Sequence, residues 1–335
     1  MNGDHALMNR DQDQGYNLAV GEPVFLQKLV ARRNIQLTAF EVRSSFPYPS
    51  PQGDPLLLAQ LGQMYPGKHV IITQGAKGGV YALMRVFKEM HKRLESVHHT
   101  PTPYWPTHKT LAHLTGFDWL AYPTPMADSL TILTSPNNPN GQLAGLATAD
   151  IWDAAYASPI YGWNLVVPFN VASVFSAAKL YGLSGYRVGW VVTGNAIIAE
   201  KLKLFIEATS SGVSRIAQRS LACLLRYWEN TPEDRLEFEI DARAELLSTA
   251  RLYNVAVDGA FDKVEGCPET GLGMYAWIRL RDRERFDRAL KNAGARVLGG
   301  EFCGASQDWV RMTCGLGYEK TKEGLRAVSN AYNYL

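Results

Sequence analysis

The stretch Val174–Trp190, VFSAAKLYGLSGYRVGW, is the part of the sequence from which the fold is best inferred. It has the spacing S-x-x-K-x-x-G-x-x-G-x-R-x-G, formed by Ser176, Lys179, Gly182, Gly185, Arg187 and Gly189. Glycines cost about 1 kcal/mol each inside a helix. The pattern therefore indicates a looping backbone that closely approaches another group. The simpler interpretation is a glycine-rich loop with a solvated lysine and arginine.

The complete spacing favours a covalent cofactor site over a solvated loop. A Schiff base between Lys179 and pyridoxal 5'-phosphate (PLP) would explain a single lysine among small residues. Ser176 and Arg187 would then hold the phosphate, the arginine through its fork of N–H donors.

Length and composition argue against several classes of protein. The chain has 335 residues, 46% of them hydrophobic and 20% charged, which is ordinary for a globular protein of one or two domains. A net charge of +2 gives no case for nucleic-acid binding. The 4 cysteines form no CxxC pair, so neither a disulfide framework nor a metal site is expected. A cytoplasmic location is therefore expected. The polar N-terminus lacks a signal peptide's apolar core, and no membrane span is expected.

Two strand-to-loop transitions are candidate binding elements. The strand His69–Thr73 runs into QGAKGG (Gln74–Gly79) and then an amphipathic helix, an arrangement that can receive a phosphate. A plain tight turn is the alternative, and Lys77 either adds charge there or faces water. The strand Leu130–Thr134 ends at SPNNPNG (Ser135–Gly141), where irregular backbone follows its carboxyl end.

Other segments leave their interpretation open. Gly21 lies at a strand end or turn, or offers its backbone to a substrate. The loop Pro103–Thr107 packs locally or presents Trp105 to a ligand. His98–His99 is predicted to be a solvated loop, and the histidines show no metal-ligand spacing.

Strands alternating with helices through the middle of the chain predict an α/β fold with a mostly parallel sheet covered on both faces. Helices are predicted at Leu56–Met64, Ala196–Phe205, Val213–Tyr227 and about Asp234–Tyr253. The last ~90 residues, with strands Met274–Leu280 and Trp309–Thr313 and helices Arg285–Ala293 and Lys320–Leu335, predict a smaller α+β lobe.

With these motifs in order, the chain resembles the fold-type I PLP enzymes, the aspartate aminotransferase superfamily of class I and II aminotransferases. The resemblance runs from Asn17 to about Leu335. SPNNPNG is similar to the family's N-P-x-N-P-T-G, with Asn140 where threonine is common. The 15 positions from Asn138 to Asp153 are a departure, because the family usually inserts a helix and a strand there. SPNNPNG, DAAYASPIY, YRVGWVV and SSGVSRIAQ are most similar to tryptophan aminotransferases and alliinases, although alliinase's cysteine-rich module is absent.

The resemblance implies a large PLP-binding domain at 41–239, with a seven-stranded sheet, and a small domain from 1–40 and 240–335. It also implies a homodimer with shared active sites.

The resemblance further implies a role for each candidate site residue. Asp153, in IWDAAY (Ile151–Tyr156), would pair with the pyridine nitrogen. Asn138 and Tyr156 would share the phenolic oxygen of the cofactor. The remaining assignments are the Gly75, Ala76 and Lys77 region at the phosphate, Trp105 on the pyridine ring, Tyr48 at the neighbouring subunit's phosphate, Arg311 at the substrate α-carboxylate, and Gly21 near the substrate. From the residues alone, the alternatives are a helix cap or surface carboxylate for Asp153 and an ion-paired strand-edge arginine for Arg311.

Together these residues predict a PLP-dependent aminotransferase that moves an amino group from an α-amino acid, preferably aromatic or apolar, to a 2-oxo acid by a ping-pong mechanism. A β-eliminating C–S lyase is the alternative, since it would use the same residues. A transcriptional regulator would need an added DNA-binding domain, for which the chain has no basic helix. A non-catalytic scaffold should have lost Lys179.

Overall fold

The computed structural model of the chain describes residues 15–35, 48–120, 128–146, 149–163, 167–255, 259–265 and 273–334. The strands are β1 (Tyr16–Asn17), β2 (His69–Thr73), β3 (Ser96–Thr100), β4 (Asp118–Leu120), β5 (Ser129–Thr134), β6 (Ile151–Asp153), β7 (Ala172–Ser176), β8 (Gly189–Thr193), β9 (Phe261–Glu265), β10 (Tyr275–Leu280), β11 (Ala295–Arg296), β12 (Leu298–Gly299) and β13 (Trp309–Thr313).

The α-helices in these residues are α1 (Val24–Arg32), α2 (Pro55–Met64), α3 (Gly75–Met90), α4 (Pro106–Leu114), α5 (Ala177–Leu180), α6 (Ala196–Ser210), α7 (Arg215–Asn230), α8 (Pro232–Val255), α9 (Arg283–Ala293) and α10 (Tyr318–Asn333). The predicted helices are therefore present, with ends that differ by a few residues. None of the helices described combines the length and the apolar character that a bilayer crossing needs.

A seven-stranded sheet in the order β2-β8-β7-β6-β5-β3-β4 forms the centre of the large lobe. Within it β8 pairs antiparallel with both β2 and β7, and the other pairings are parallel. The predicted α/β architecture with a mostly parallel sheet is confirmed.

Side-chain alternation along each strand divides the core into two layers. On β2, Val70 and Ile72 pack into one cluster and Ile71 into the other. On β8, Trp190 belongs to the first cluster and Val191 to the second. Because successive side chains point to opposite faces of a strand, a continuous apolar run such as HVIIT requires cover on both sides. Helices α3, α4 and α6 supply it on the Ile71 face, and α2 and α7 contribute to the other.

A four-stranded antiparallel sheet, in the order β12-β13-β10-β9, forms the smaller lobe with α9 and α10. A short parallel pair joins β1, near the start of the described chain, to β11. The start of the described chain therefore pairs with a strand of the C-terminal part. The proposed boundaries at residues 40 and 239 stay a prediction.

Strand register places the carboxyl ends of β5, β6 and β7 side by side in the large sheet. Thr134, the last residue of β5, pairs with Asp153, the last residue of β6. Asp153 pairs in turn with Val174, two residues before the end of β7 at Ser176. No helix lies between β5 and β6 in residues 135–146 and 149–150, and the two strands are direct neighbours. The shortened connection therefore still brings Asp153 beside the loop that carries Asn138.

The interpretation of His98–His99 as a solvated loop is wrong. Both residues lie in β3, between β4 and β5, and are almost completely buried. The imidazole of His99 packs 5.7 Å from the Trp119 ring and 5.8 Å from the Tyr104 ring, centroid to centroid. Two polar residues interrupt the apolar pattern that would reveal a strand, and the aromatic side chains that cover His99 lie outside that strand.

The glycines of the lysine stretch have different structural requirements, which gives a stability test. A Cβ at Gly189 would lie 2.5 Å from the carbonyl carbon of Gly75 and 2.6 Å from the carbonyl oxygen of Phe175, both backbone atoms. A Cβ at Gly185 would meet nothing within 4 Å. We expect Gly189→Ala to lower the free energy of unfolding by at least about 2 kcal/mol, because backbone cannot move aside cheaply.

Gly185→Ala is the matched control, with an expected change within about 0.5 kcal/mol. Urea denaturation of both variants measures the difference. Equal stabilities of the two variants would contradict the close approach of β8 to the start of α3.

Candidate active site

Lys179 lies on α5, a helix of 4 residues that follows β7 directly. Gly182 turns the chain away with φ of 71°, and a Cβ there would lie 2.7 Å from the backbone nitrogen of Gln27. This close packing against α1 explains one glycine of the motif. The Lys179 Nζ donates a hydrogen bond to the carbonyl oxygen of Gly21 and lies 5.8 Å from the centre of the Tyr156 ring.

Burial lowers the pKa of the Lys179 amine below its usual value, since desolvation disfavours the charged form. Tyr275 opposes this shift in pKa, the Arg311 cation adds to it, and Glu22 and Asp153 oppose it more weakly. The amine is therefore neutral over a wider pH range than an exposed lysine.

The start of α3 and the arginine of the lysine stretch form a cradle suited to an anion. Gly75 has φ of 68°, and a Cβ there would lie 2.7 Å from Nη2 of Arg187. Arg187 itself has φ of 55°, a left-handed conformation that is costly for a residue with a side chain. Ser176 ends β7 opposite Gly189 and does not cap α5 with its hydroxyl. A helix N-terminus, a guanidinium and a hydroxyl thus converge where a phosphate could bind.

Lys77 and Trp105 contact each other beside this cradle. The Lys77 Nζ lies 5.3 Å from the Trp105 ring centre, although most of the Lys77 residue is exposed. Trp105 is half-buried at the N-terminus of α4 and packs edge-on against His108, with ring centres 5.0 Å apart.

Asp153 is 3% exposed and has two contacts that hold its carboxylate. Its Oδ2 lies 3.1 Å from Nε2 of His108, and its Oδ1 accepts a hydrogen bond of 3.1 Å from the backbone N–H of Ala155. His108 is not among the residues that the sequence motifs single out. Its position three residues after Trp105, on the same face of a helix, is the signal that could have identified it.

Asn138 connects the two lobes of the chain. Its Oδ1 accepts a hydrogen bond of 2.9 Å from Nη1 of Arg311, and its Nδ2 donates one of 3.5 Å to the hydroxyl of Tyr156. Nη2 of Arg311 donates to the carbonyl oxygen of Ala19 at 2.7 Å. Arg311 is 4% exposed, and its Nε has no hydrogen-bond partner among the described residues. A buried guanidinium with an unused N–H is equipped to receive a carboxylate.

Tyr275 is the site residue that sequence reasoning missed. It lies on β10, in the segment MYAWIRL, which was identified only as a strand. Its hydroxyl is 2.8 Å from that of Tyr156, and the Arg311 guanidinium carbon lies 4.1 Å from its ring centre. The sequence shows only a tyrosine in a predicted strand. The pairing of that strand with the one that carries Arg311 is seen only in the structure.

The structure brings most of the predicted site residues into two connected groups. One contains Gly75, Ala76, Lys77, Trp105, Ser176 and Arg187, and the other contains Gly21, Asn138, Asp153, Tyr156, Lys179 and Arg311. Tyr48 stands apart, because its side chain is 88% exposed. The site thus combines a buried amine, a buried carboxylate, an anion cradle and a guanidinium.

Solved structures share this fold. The aspartate aminotransferase of Rhizobium meliloti superposes with a TM-score of 0.74 at 17% identity, covering 98% of this chain and 94% of that one. The aromatic aminotransferase of Pyrococcus horikoshii OT3 gives a TM-score of 0.73 at 17% identity, with 96% of each chain covered. At these identities the likeness shows the fold alone.

Curated proteins also match in sequence. Tryptophan aminotransferase-related protein 3 of Arabidopsis thaliana is 29% identical over 208 residues, which are 55% of this chain and 44% of that protein. The aspartate aminotransferase of Thermococcus kodakarensis is 27% identical over 228 residues, 63% of this chain and 58% of that protein. The matches thus span about half the length of these relatives.

A family description covers nearly the whole chain. The sequence matches aminotransferase class I and II over residues 13–328, a range that includes every residue of the two groups above. The fold and the sequence match agree, and the chain belongs to the aminotransferase class I and II family.

Proposed function

We propose that this chain is a PLP-dependent aminotransferase that moves an amino group from an α-amino acid to a 2-oxo acid. The observation that carries the proposal is the buried Lys179 amine, hydrogen-bonded to Gly21 and facing the Tyr156 ring, with a lowered pKa. Enzymes of this family depend on PLP.

The residues present fit this cofactor. A phosphate needs donors and positive charge, which the start of α3 and Arg187 offer together. Gly75 leaves the room that this approach requires, since any side chain there would meet the guanidinium. A pyridine nitrogen needs a carboxylate, and Asp153 is buried and held by His108 and the Ala155 N–H. Asn138 and Tyr156 offer polar groups for a phenolic oxygen.

When bound, PLP supplies an electron sink for the pair released as the substrate's Cα–H bond breaks. Asp153 would stabilise positive charge at the ring nitrogen, because an opposite charge a few ångströms away favours the charged form. His108 would keep the carboxylate oriented through its Nε2. The indole of Trp105 would cover the ring, and Lys77 beside it would add positive charge near the phosphate.

Lys179 would carry the cofactor and then act as a general acid and base. The lowered pKa makes the neutral amine available at lower pH than for an exposed lysine, and the neutral amine is the form that can take the proton from Cα. Lys179 lies on a short helix, and Gly182 just after it packs against α1. The amine is therefore already positioned, so little entropy is lost when the proton moves. The donor would leave as a 2-oxo acid before the acceptor enters the same site, so ping-pong kinetics are expected.

Arg311 would bind the substrate α-carboxylate and so decide which Cα bond Lys179 can reach. The contacts to Asn138 and Ala19 fix the guanidinium plane while Nε stays unpaired. In sheet register Arg311 pairs with Trp277 and Leu298, so these side chains share its face of the small sheet. Trp277 stacks on Trp309, with ring centres 5.4 Å apart. This apolar neighbourhood supports a substrate with an aromatic or apolar side chain.

A homodimer with shared sites is part of the same proposal. Tyr48 is 88% exposed, as a side chain would be if it served the phosphate site of a neighbouring subunit. The support comes from the resemblance and from this exposure.

The proposal is tested by adding PLP to the purified chain and then a panel of amino acids. We expect a visible absorption band in the wild type and in Lys291→Ala, an exposed control, and no such band in Lys179→Ala. Aromatic or apolar amino acids should bleach the band, and a 2-oxo acid should restore it. Release of ammonia and pyruvate from a cysteine derivative would instead identify a β-eliminating lyase. A wild type that forms no band with PLP would refute the assignment.

The lowered pKa of Lys179 predicts its reactivity in the cofactor-free protein. The amine should lose its proton at lower pH in the native chain than in the same chain denatured in urea, because burial penalises the ammonium form. Labelling with acetic anhydride across a pH series, followed by mass spectrometry of the Lys179 peptide, measures both midpoints. A native midpoint equal to or above the denatured one would contradict the burial argument.

Arg311→Lys tests the carboxylate role. The charge is kept but the planar fork is lost, so kcat/KM for the amino donor should fall on the order of 100-fold. Arg279→Lys is the matched control, since Arg279 lies half-exposed on the neighbouring strand β10 and should leave kcat/KM unchanged. Retention of full kcat/KM in Arg311→Lys would place carboxylate recognition elsewhere.

A further inference from the structure

Tyr275 is almost completely buried, and two parts of its side chain contact different functional groups. The ring is 2% exposed within β10 of the small sheet, while the hydroxyl reaches a residue that follows β6 of the large sheet. No role for this residue follows from the sequence motifs.

The hydroxyl contact is with the phenol proposed to hold the cofactor's phenolic oxygen. The oxygens of Tyr275 and Tyr156 are 2.8 Å apart, a good hydrogen-bond distance for two hydroxyls. Asn138 Nδ2 donates to the same Tyr156 oxygen at 3.5 Å. A buried hydroxyl without a partner is costly, so Tyr275 restricts where the Tyr156 O–H can point.

The ring contact is with the guanidinium proposed to bind the substrate carboxylate. The Arg311 carbon lies 4.1 Å from the centre of the Tyr275 ring, and both side chains are buried. A desolvated guanidinium over an aromatic face is held more strongly than an exposed one. With its hydrogen bonds to Asn138 and Ala19, this contact gives the guanidinium a third fixed support.

These contacts close a ring of four side chains across the two lobes. Tyr275 contacts Tyr156, Tyr156 contacts Asn138, Asn138 contacts Arg311, and Arg311 lies on Tyr275. Gly21 lies beside this ring. A Cβ at Gly21 would lie 3.1 Å from the Tyr275 hydroxyl and 3.6 Å from the Lys179 Nζ, so both groups approach the same backbone position.

We propose that Tyr275 is a positioning residue with two separable roles: its ring orients Arg311 for the substrate carboxylate, and its hydroxyl orients the Tyr156 phenol beside the Lys179 amine. This inference rests on the proposed function for the meaning of each contact.

The electrostatics agree with this geometry. Burial acts to raise the pKa of Tyr275, but Lys179, Arg311 and the hydrogen bond from Tyr156 outweigh it and lower that pKa below the usual tyrosine value. Burial raises the pKa of Tyr156 well above its usual value. Burial therefore favours the protonated form of Tyr156, and the two hydroxyls share one hydrogen bond. The titratable and charged groups that act on the pair are Lys179, Arg311, Tyr161 and Cys303. Glu22 and Asp153 act on Lys179.

Two substitutions separate the roles. Tyr275→Phe keeps the ring and removes the hydroxyl, and Tyr275→Leu removes both. In the cofactor-free chain, acetic anhydride labelling should give a lower pH midpoint for Lys179 in both variants, because Tyr275 raises the pKa of that amine. Tyr253→Phe is the control: it removes another buried hydroxyl, which donates to the Thr313 carbonyl, and should leave the midpoint unchanged.

Binding of 3-phenylpropanoate to the PLP-loaded protein, measured by calorimetry, tests the ring. Tyr275→Phe should bind within about twofold of the wild type, whereas Tyr275→Leu should bind on the order of tenfold more weakly. Equal losses in both variants would refute the role of the ring. A Lys179 midpoint that Tyr275→Phe does not lower would refute the role of the hydroxyl, and this arm stands even if Tyr275→Leu does not fold.

The labelling arm needs no cofactor, so it distinguishes two failures. A wild type that takes up no PLP would refute the proposed function while the Lys179 midpoints still test Tyr275. A wild type that takes up PLP normally, with unchanged midpoints and affinities in the Tyr275 variants, would refute this inference alone.

Discussion

The burial of one amine constrains the rest of this site. Lys179 is buried between the Gly21 carbonyl and the Tyr156 ring, where desolvation disfavours its charge and lowers its pKa. A buried polar group must also find hydrogen-bond partners. Gly21 supplies a carbonyl from the N-terminal segment, Tyr156 presents a ring face, and Tyr275 opposes the shift in pKa. The N-terminal segment, the large sheet and the small sheet must therefore all be in place before Lys179 acquires its properties.

The close approach of backbone segments after Lys179 is a second strict constraint, because it leaves no room for a side chain at Gly189. Gly189 packs against Gly75 and Phe175 so closely that no side chain fits. This approach brings β8 against the start of α3 and puts Arg187 over Gly75. The glycines serve different purposes: Gly182 provides a turn beside α1, Gly189 a close contact, and Gly185 neither. The regular spacing of these glycines in the sequence does not indicate which of these roles each one has.

Prediction from the sequence succeeded where one chemistry restricts several residue types at once. The alternation of apolar strands and amphipathic helices predicted the layered fold, and the matched family and fold agree with it. The spacing around Lys179 singled out Ser176 and Arg187, and the structure brings Arg187 to Gly75. It failed for His98 and His99, because imidazoles in a buried strand break the apolar pattern. The sequence motifs also did not single out His108, since its contact with Asp153 joins a helix to a distant strand.

By itself, the sequence determined the order of strands and helices, the glycine positions and the one lysine that stands among small residues, because these depend on local conformational preference and on side-chain chemistry. Only the tertiary structure decided that Tyr275 contacts both Tyr156 and Arg311, that Asn138 links the lobes, and that Lys179 is buried. The physical reason is that strand register and lobe packing bring together residues more than a hundred positions apart. Contacts at that separation leave no periodic trace in a single sequence.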